Sequence, residues 1–217
     1  MNKKKRMPEI GEAVFCIIYL IFGFISAIIM FANADARSFI LFYGVLTLVL
    51  AGGDSFHLVP RIIKAFSYDF KTYEFWAGLG LMISSITMTV FYIILYYIWD
   101  IHFATGTIIP GLVKYLLLIM ALVRIILCLF PQNNWFQKEG NAKWGIIRNL
   151  PFVIVGIIMI ILFLLSGNWN ISLAILISFA CYLPVVLWAK KKPMIGMLMI
   201  PKTVAYMYLI AIGLSLI

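Results

Sequence analysis

Residues 146–166 read IIRNLPFVIVGIIMIILFLLS. From Leu150 to Leu165 this stretch contains no charged side chain, and a helix needs about 20 mostly apolar residues to cross the hydrocarbon core of a bilayer. The strands of membrane barrels are about half as long and alternate apolar with polar side chains, which this stretch does not do. It therefore predicts a transmembrane α-helix.

Six other stretches of the chain share this length and apolar character. Short breaks with turn-forming or charged residues separate them, such as Asn33-Ala34-Asp35 and Ser166-Gly167-Asn168. We predict an all-α protein, a seven-transmembrane-helix bundle that forms a single domain over residues 1–217. The predicted spans are 11–32, 38–60, 75–98, 109–130, 146–166, 171–189 and 195–217.

The composition excludes a soluble protein. Hydrophobic residues make up 65% of the chain and charged residues 12%, whereas soluble domains are about half apolar and a quarter charged. The net charge of +9 does not indicate nucleic-acid binding, because the basic residues lie mostly at the ends of apolar stretches, near the lipid headgroups. We expect membrane lipids as partners and no nucleic acid, and the sequence leaves the oligomeric state open.

The distribution of Lys and Arg predicts the orientation, since these residues concentrate in cytoplasmic loops. Most of the Lys and Arg residues between the spans fall on one side of the membrane. On the opposite side, the only Lys or Arg in a break is Arg37, and Lys114 lies a little way inside the fourth span. We therefore predict a multi-pass protein of the cell membrane with its N-terminus in the cytoplasm and its C-terminus outside. The cations on the predicted cytoplasmic side are Lys3, Lys4, Lys5, Arg6, Arg61, Lys64, Lys71, Lys138, Lys143, Arg148, Lys190, Lys191 and Lys192.

The end of the second span carries the clearest candidates for chemistry. Asp54, His57 and Arg61 are spaced i, i+3 and i+7, which places them on one helix face. An ionisable group inside a span is costly and usually has a functional or pairing role. Asp54 and His57 are candidate catalytic residues for acid–base work, and Arg61 is a candidate for holding a charged headgroup. The alternative is an internal ion-pair stripe that fixes helix packing.

Other helices bring cations to the same half of the membrane. Arg124 lies before the end of the fourth span, Arg148 and Asn149 open the fifth, and Lys202 lies about 10 Å inside the seventh. Together they predict a basic pocket that opens to the cytoplasm and suits a phosphate-bearing ligand. The alternatives are a positive-inside anchor for Arg148 and snorkelling to the interface for Lys202.

Two weaker patterns concern packing and membrane position. Ser85, Thr89, Tyr92 and Tyr96 form a stripe on the third span, which favours hydrogen bonds between helices. The tryptophans all lie near span ends, as in an aromatic belt. They are Trp76, Trp99, Trp135, Trp144, Trp169 and Trp188.

Metal and cofactor motifs are missing from the sequence. Its two histidines, His57 and His102, form no HxxxH or HExxH pattern, and the chain has no phosphate-binding glycine loop. Cys16, Cys128 and Cys181 each lie in an apolar stretch without CxxC pairing, as expected for small buried hydrophobes. We predict no metal site and no cofactor.

The Gly53-Asp54 pair, followed by Leu58 and Pro60-Arg61, resembles the Gly-Asp motif of the lysoplasmalogenase-like integral membrane family. The likeness covers about residues 38–217, and family members typically have eight spans, so this chain would lack the first. Later features follow in a similar order. They are Gly78, Ser85 and Tyr92, then Arg148, Pro151 and Met159, then Ser178, and finally Tyr206 in the last span.

The resemblance implies hydrolysis of the vinyl-ether bond of a lysoplasmalogen to an aldehyde and a glycerophospho-headgroup. Asp54 would match one acidic position of the family, and Tyr206 would join the residues that bind substrate. The family has a second aspartate directly after the serine of its penultimate span, and here that position is Phe179. This departure weakens the expectation of a two-carboxylate mechanism.

Three functions are compatible with these patterns. The first is a hydrolase-like enzyme acting on a lysophospholipid or similar amphiphile, with Asp54 and His57 as acid and base. The second is a small-molecule or proton-coupled transporter in which the same pair is a protonation switch. The third is a membrane binding or assembly protein whose charges only specify packing. In the first, the substrate-binding residues would be Arg61, Arg124, Arg148, Asn149, Lys202 and Tyr206.

Overall fold

A computed structural model describes residues 3–35, 39–67, 72–104, 111–137, 140–188 and 192–217, without the side chains of residues 3–8 and 193. Over these residues the chain forms helices and no strand. Seven of the helices are long and apolar enough to span a membrane, which confirms the predicted seven-helix bundle. They are α1 (Lys3–Ala32), α2 (Phe39–Phe66), α3 (Tyr73–Ile98), α4 (Gly111–Leu129), α5 (Ala142–Leu165), α6 (Trp169–Trp188) and α7 (Met199–Leu214).

The orientation remains a prediction, because several of the cations that support it lie outside the described residues. These are Arg37, Lys71, Lys138, Lys190 and Lys191, together with the side chains of Lys3, Lys4, Lys5 and Arg6. Below, the end of the bundle that carries Glu12, Arg61 and Lys143 is called the basic end. It is the end that the sequence predicts to be cytoplasmic.

Helices that follow one another in the chain pack side by side, and α7 closes the bundle against α1 and α2. Their buried faces form an apolar core that includes Phe91, Phe152, Met159 and Phe163. The outward faces are also apolar, and Leu112 is 76% exposed. A surface of this kind requires lipid around it, since exposed apolar patches of this extent do not occur on soluble monomers.

The helices α2 and α3 approach each other unusually closely, and proline and glycine make this possible. The second helix continues through Pro60 to Phe66, although Pro60 has no N–H to donate to the carbonyl of Phe56 one turn earlier. Gly80 of α3 lies directly against that carbonyl, and a Cβ atom there would come within 2.6 Å of the Cα of His57. Similarly, a Cβ atom at Gly53 would overlap the side chain of Thr87. Close packing here brings the polar part of α2 against α3.

Trp99 differs from the belt position that its sequence suggests. It is 2% exposed, because α3 continues into a π-helical turn, Trp99–Phe103, that carries the ring inward. Its Nε1 donates hydrogen bonds of 3.1 Å to the carbonyl of Leu162 and to the hydroxyl of Ser166. These bonds join α3 to α5 at the end of the bundle opposite the basic end.

Candidate functional site

Asp54 lies where three helices meet. Its side chain projects from α2 and the residue is 6% exposed. The hydroxyl of Tyr19 on α1 donates a 3.0 Å hydrogen bond to Oδ2, and the hydroxyl of Ser84 on α3 donates a 2.8 Å bond to Oδ1. These two donors, which come from two different helices, fix the position of the carboxyl group.

His57 and Arg61 follow Asp54 at one-turn intervals along α2. The Nδ1 atom of buried His57 lies 3.9 Å from Oδ1 of Asp54, which is beyond hydrogen-bond length. Nδ1 therefore has no hydrogen-bond partner in the described part of the chain. Arg61 is about half exposed and pairs with Glu12 of α1, with 3.3 Å between Nη1 and Oε1. The stripe therefore runs from a buried acid to a solvated ion pair at the basic end.

A cavity of about 350 Å³ opens alongside this stripe, and we call it the acid–base cavity. Its polar lining includes Asp54, His57, Arg61 and Lys202. The rest of its wall is largely apolar and comes from α1, from α2 and from the segment that leads into α7. These residues include Phe15, Cys16, Leu58, Met197, Met199 and Ile200. Two glutamates, Glu9 and Glu12, also line it, so one cavity combines three acids, an imidazole and two cations with an apolar wall.

Lys202 is the cation that α7 brings into the acid–base cavity. It is 8% exposed, and its Nζ lies 5.3 Å from the ring centroid of Tyr182 and 5.0 Å from that of Tyr206. Within the described ranges Lys202 makes no ion pair with a carboxylate. Its ammonium is held by cation–π contacts, which leaves it free to meet an anion in the cavity.

Arg124 is buried deeper, away from the residues that line the acid–base cavity. It is 2% exposed, and its guanidinium carbon lies 3.2 Å from the ring centroid of Phe152. Its electrostatic neighbours include the hydroxyls of Tyr92, Tyr182 and Tyr206. Since Tyr182 and Tyr206 also lie next to Lys202, the two tyrosines connect the two buried cations.

Arg148 and Asn149 point to different places. The guanidinium of Arg148 stacks over Trp135, 4.0 Å from the ring centroid, and donates a 2.8 Å bond to Oδ1 of Asn133. Asn149 is buried and accepts a 2.8 Å hydrogen bond from the Tyr182 hydroxyl. Arg148 therefore belongs to the loop between α4 and α5, whereas Asn149 supports one of the two tyrosines.

Asn133 closes the end of α4. Its Nδ2 donates bonds of 2.7 and 2.8 Å to the carbonyls of Leu127 and Phe130, which are among the carbonyls that a helix end leaves without partners.

Asn133→Ala is expected to lower the free energy of unfolding by about 2–3 kcal/mol, because these carbonyls and Arg148 lose a buried partner. Thermal unfolding in detergent measures this, with exposed Gln132→Ala as the control. Equal melting of both variants would contradict the role.

The third span contributes to the site through a residue that the stripe prediction missed. Ser85 and Thr89 bond to carbonyls of their own helix, those of Leu81 and Ser85, so the expected hydrogen bonds between helices are wrong for these two residues. Serine and threonine hydroxyls in helices often do this. The bond between helices comes instead from the neighbouring Ser84.

Tyr19 was not among the site residues predicted from the sequence. A usable signal was present, because Glu12, Cys16 and Tyr19 are spaced i, i+4 and i+7 along the first helix, which places them on one face. The structure turns that face toward Asp54 and the acid–base cavity.

Phe179, where the family resemblance would place a second aspartate, is 6% exposed. Its ring lies 4.9 Å from that of Phe152 and 5.7 Å from that of Tyr92. A Cβ atom at Gly156 would overlap the Phe179 ring, so the helix opposite is shaped around an aromatic side chain. The space is filled by packing and not by an acid.

No protein-family model, curated protein or solved structure matches this chain. The class of the protein therefore follows from its fold. Seven apolar helices of membrane-spanning length define a multi-pass integral membrane protein. Within this class, its distinguishing feature is a polar site enclosed by α1, α2, α3 and α7.

Proposed function

We propose that this protein is a hydrolase-like membrane enzyme that acts on a lysophospholipid or a similar amphiphile in the acid–base cavity. One observation carries the proposal: Asp54, His57, Arg61 and Lys202 line the same cavity. A catalytic site needs proton donors and acceptors next to the reacting bond, together with groups that hold the substrate in place. This cavity combines both.

The two cations of the cavity suit a phosphate group. Lys202 has no carboxylate partner in the described chain, so its charge is available to an anion. Arg61 lies at the mouth, where its pair with Glu12 is about half exposed and therefore weak enough for a phosphate to compete. The apolar wall, which includes Phe15, Met197 and Ile200, suits the chain of an amphiphile.

Asp54 and His57 supply the acid–base chemistry. The bonds from Tyr19 and Ser84 hold the carboxyl group in place, while Nδ1 of His57 has no partner among the described residues. The two groups lie close together, with 3.9 Å between Oδ1 and Nδ1. Both residues line the acid–base cavity, so a substrate in the cavity would lie next to both.

The family resemblance favours a vinyl-ether substrate, whose hydrolysis would pass through a hemiacetal. Asp54 donates a proton to the carbon of the double bond that is farther from the ether oxygen. The oxygen of a water molecule then bonds to the carbon next to the ether oxygen, while His57 takes a proton from that water molecule. Protonated His57 then donates its proton to the ether oxygen of the hemiacetal while the Asp54 carboxylate takes the proton of the hemiacetal hydroxyl. The bond between carbon and the ether oxygen breaks, the headgroup leaves as an alcohol and the chain as an aldehyde, and both residues return to their starting protonation states. Since Phe179 replaces the second acid, His57 has to act as the second proton-transfer group.

The test is turnover of defined lysophospholipids by the purified protein in lipid nanodiscs, with products identified by mass spectrometry. Vinyl-ether, ester and alkyl-ether substrates are compared. Asp54→Asn is expected to lower kcat by about a hundredfold or more, because the amide cannot transfer the proton although it keeps an oxygen that can accept a hydrogen bond. The matched control is Asp100→Asn, an exposed aspartate in the π-helical turn that follows α3, far from Ser84.

Full activity in Asp54→Asn would contradict the proposal, as would a wild-type protein that hydrolyses none of the substrates. A melting temperature of Asp54→Asn close to that of wild type ensures that lost activity does not reflect lost fold. Substrate flux into proteoliposomes without turnover would favour the transporter instead.

A further inference from the structure

Arg124 is a buried charge that the proposed reaction does not use. It is 2% exposed and makes no ion pair within the described part of the chain. Its Nε and Nη1 atoms are buried, and neither has a hydrogen-bond partner among the described residues. Because a guanidinium stays charged in proteins and an unpaired buried charge is strongly unfavourable, this position requires a negative counter-charge.

Among the described residues, the electrostatic neighbours of Arg124 are tyrosine hydroxyls and the thiol of Cys128, and none is a carboxylate. The hydroxyl of Tyr92 is one of them, and it is buried with no hydrogen-bond partner in the described part of the chain. The hydroxyl of Tyr206 is a further neighbour, whereas that of Tyr182 is occupied by its bond to Asn149. In the described part of the chain, the groups around Arg124 that have no hydrogen-bond partner are therefore N–H and O–H donors.

One face of the guanidinium is already covered. The ring of Phe152 lies 3.2 Å from Cζ, a cation–π contact that partly compensates for the lost hydration but supplies no hydrogen-bond acceptor. The N–H groups point along the plane of the guanidinium, away from that ring. An acceptor beside Nε or Nη1 would supply the hydrogen bonds that the ring of Phe152 cannot.

We propose that Arg124 and the Tyr92 hydroxyl form a binding site for a small monovalent anion such as chloride, inside the bundle and separate from the acid–base cavity. Such an ion accepts hydrogen bonds from both groups and balances one positive charge. A phosphate dianion would bring more negative charge than this single guanidinium offsets. The site is also too enclosed for a lipid headgroup.

The test measures thermal unfolding of the purified protein in detergent while sodium chloride replaces sodium gluconate at constant ionic strength and pH. The wild-type melting temperature is expected to rise saturably, by about 5 °C or more once chloride exceeds its dissociation constant about a hundredfold. Arg124→Met is expected to lose this dependence. Lys114→Met is the matched control, since it removes a cation from the same helix near its other end, and it is expected to keep the wild-type dependence.

Tyr92→Phe provides a second variant that removes only one hydroxyl. It is expected to shift the chloride midpoint several-fold higher, because one hydrogen-bond donor to the ion is lost. Bromide should substitute for chloride, and sulfate should not. Equal melting of the wild type in chloride and gluconate would overturn the proposal without any variant, and it would mean that water alone satisfies these groups. A chloride dependence that persists in Arg124→Met would also overturn it.

Discussion

Gly80→Ala is expected to destabilise the bundle by about 2–4 kcal/mol, the cost of overpacking combined with a weakened hydrogen bond to a charge. The added Cβ would overlap the carbonyl of Phe56 and come within 2.6 Å of the Cα of His57. Both are backbone atoms, which cannot rotate away as a side chain can. The helices α2 and α3 must therefore separate, and the bond from Ser84 to Asp54 must lengthen.

The measurement is the free energy of unfolding in mixed micelles, together with the melting temperature. Gly52→Ala is the matched control, because nothing lies within 4 Å of a Cβ atom at that position of α2. Alanine is favoured over glycine in helices by up to about 1 kcal/mol, so the control is expected to be neutral or stabilising. If Gly80→Ala melted as high as Gly52→Ala, the close approach of α2 and α3 would not exist.

Asp54→Leu is expected to cost about 3–5 kcal/mol, because the loss of one partner from a buried polar network leaves the others unsatisfied. The hydroxyls of Tyr19 and Ser84 would lose their acceptor in an apolar environment. The loss should be visible as a lower melting temperature and as a lower yield of folded protein from the membrane.

A triple variant tests whether the lost hydrogen bonds, and not the changed shape of the side chain at position 54, cause this loss of stability. Tyr19→Phe and Ser84→Ala in the Asp54→Leu background remove the two stranded donors. We expect the triple variant to recover at least half of the lost stability, since the replacement of all partners of a hydrogen bond by apolar groups can be nearly neutral. Absence of recovery would show that the two hydroxyls are not the partners that matter for the stability of this site.

The fold was predictable because one property, the length of apolar stretches, determines it. The spacing of Asp54, His57 and Arg61 also sufficed to place these residues on one face, and the structure puts all three at one cavity. Spacing within a helix is local and follows from 3.6 residues per turn. The same argument was available for the face of α1 that carries Tyr19.

Contacts between helices were less predictable, since they depend on rotation and depth that a single sequence does not specify. Ser84 and Ser85 are adjacent and chemically identical, yet only Ser84 faces Asp54, because Gly80, one turn earlier, sets the closest approach to α2. Arg148 opens an apolar helix, but its guanidinium turns to Asn133 in the preceding loop. The depth of Arg124 was clear from the sequence, whereas its separation from the cavity was not.

The buried Trp99 donates hydrogen bonds to Leu162 and Ser166. These bonds hold α3 and α5 together at the end of the bundle opposite Arg61. An amphiphile that reaches Asp54 would therefore enter past Glu12 and Arg61. The water-soluble fragment formed by its hydrolysis would leave through the same opening of the cavity. We expect such a fragment, glycerophosphocholine for example, to act as a competitive product inhibitor. Turnover would then slow as product accumulates on the side of the membrane from which the substrate came.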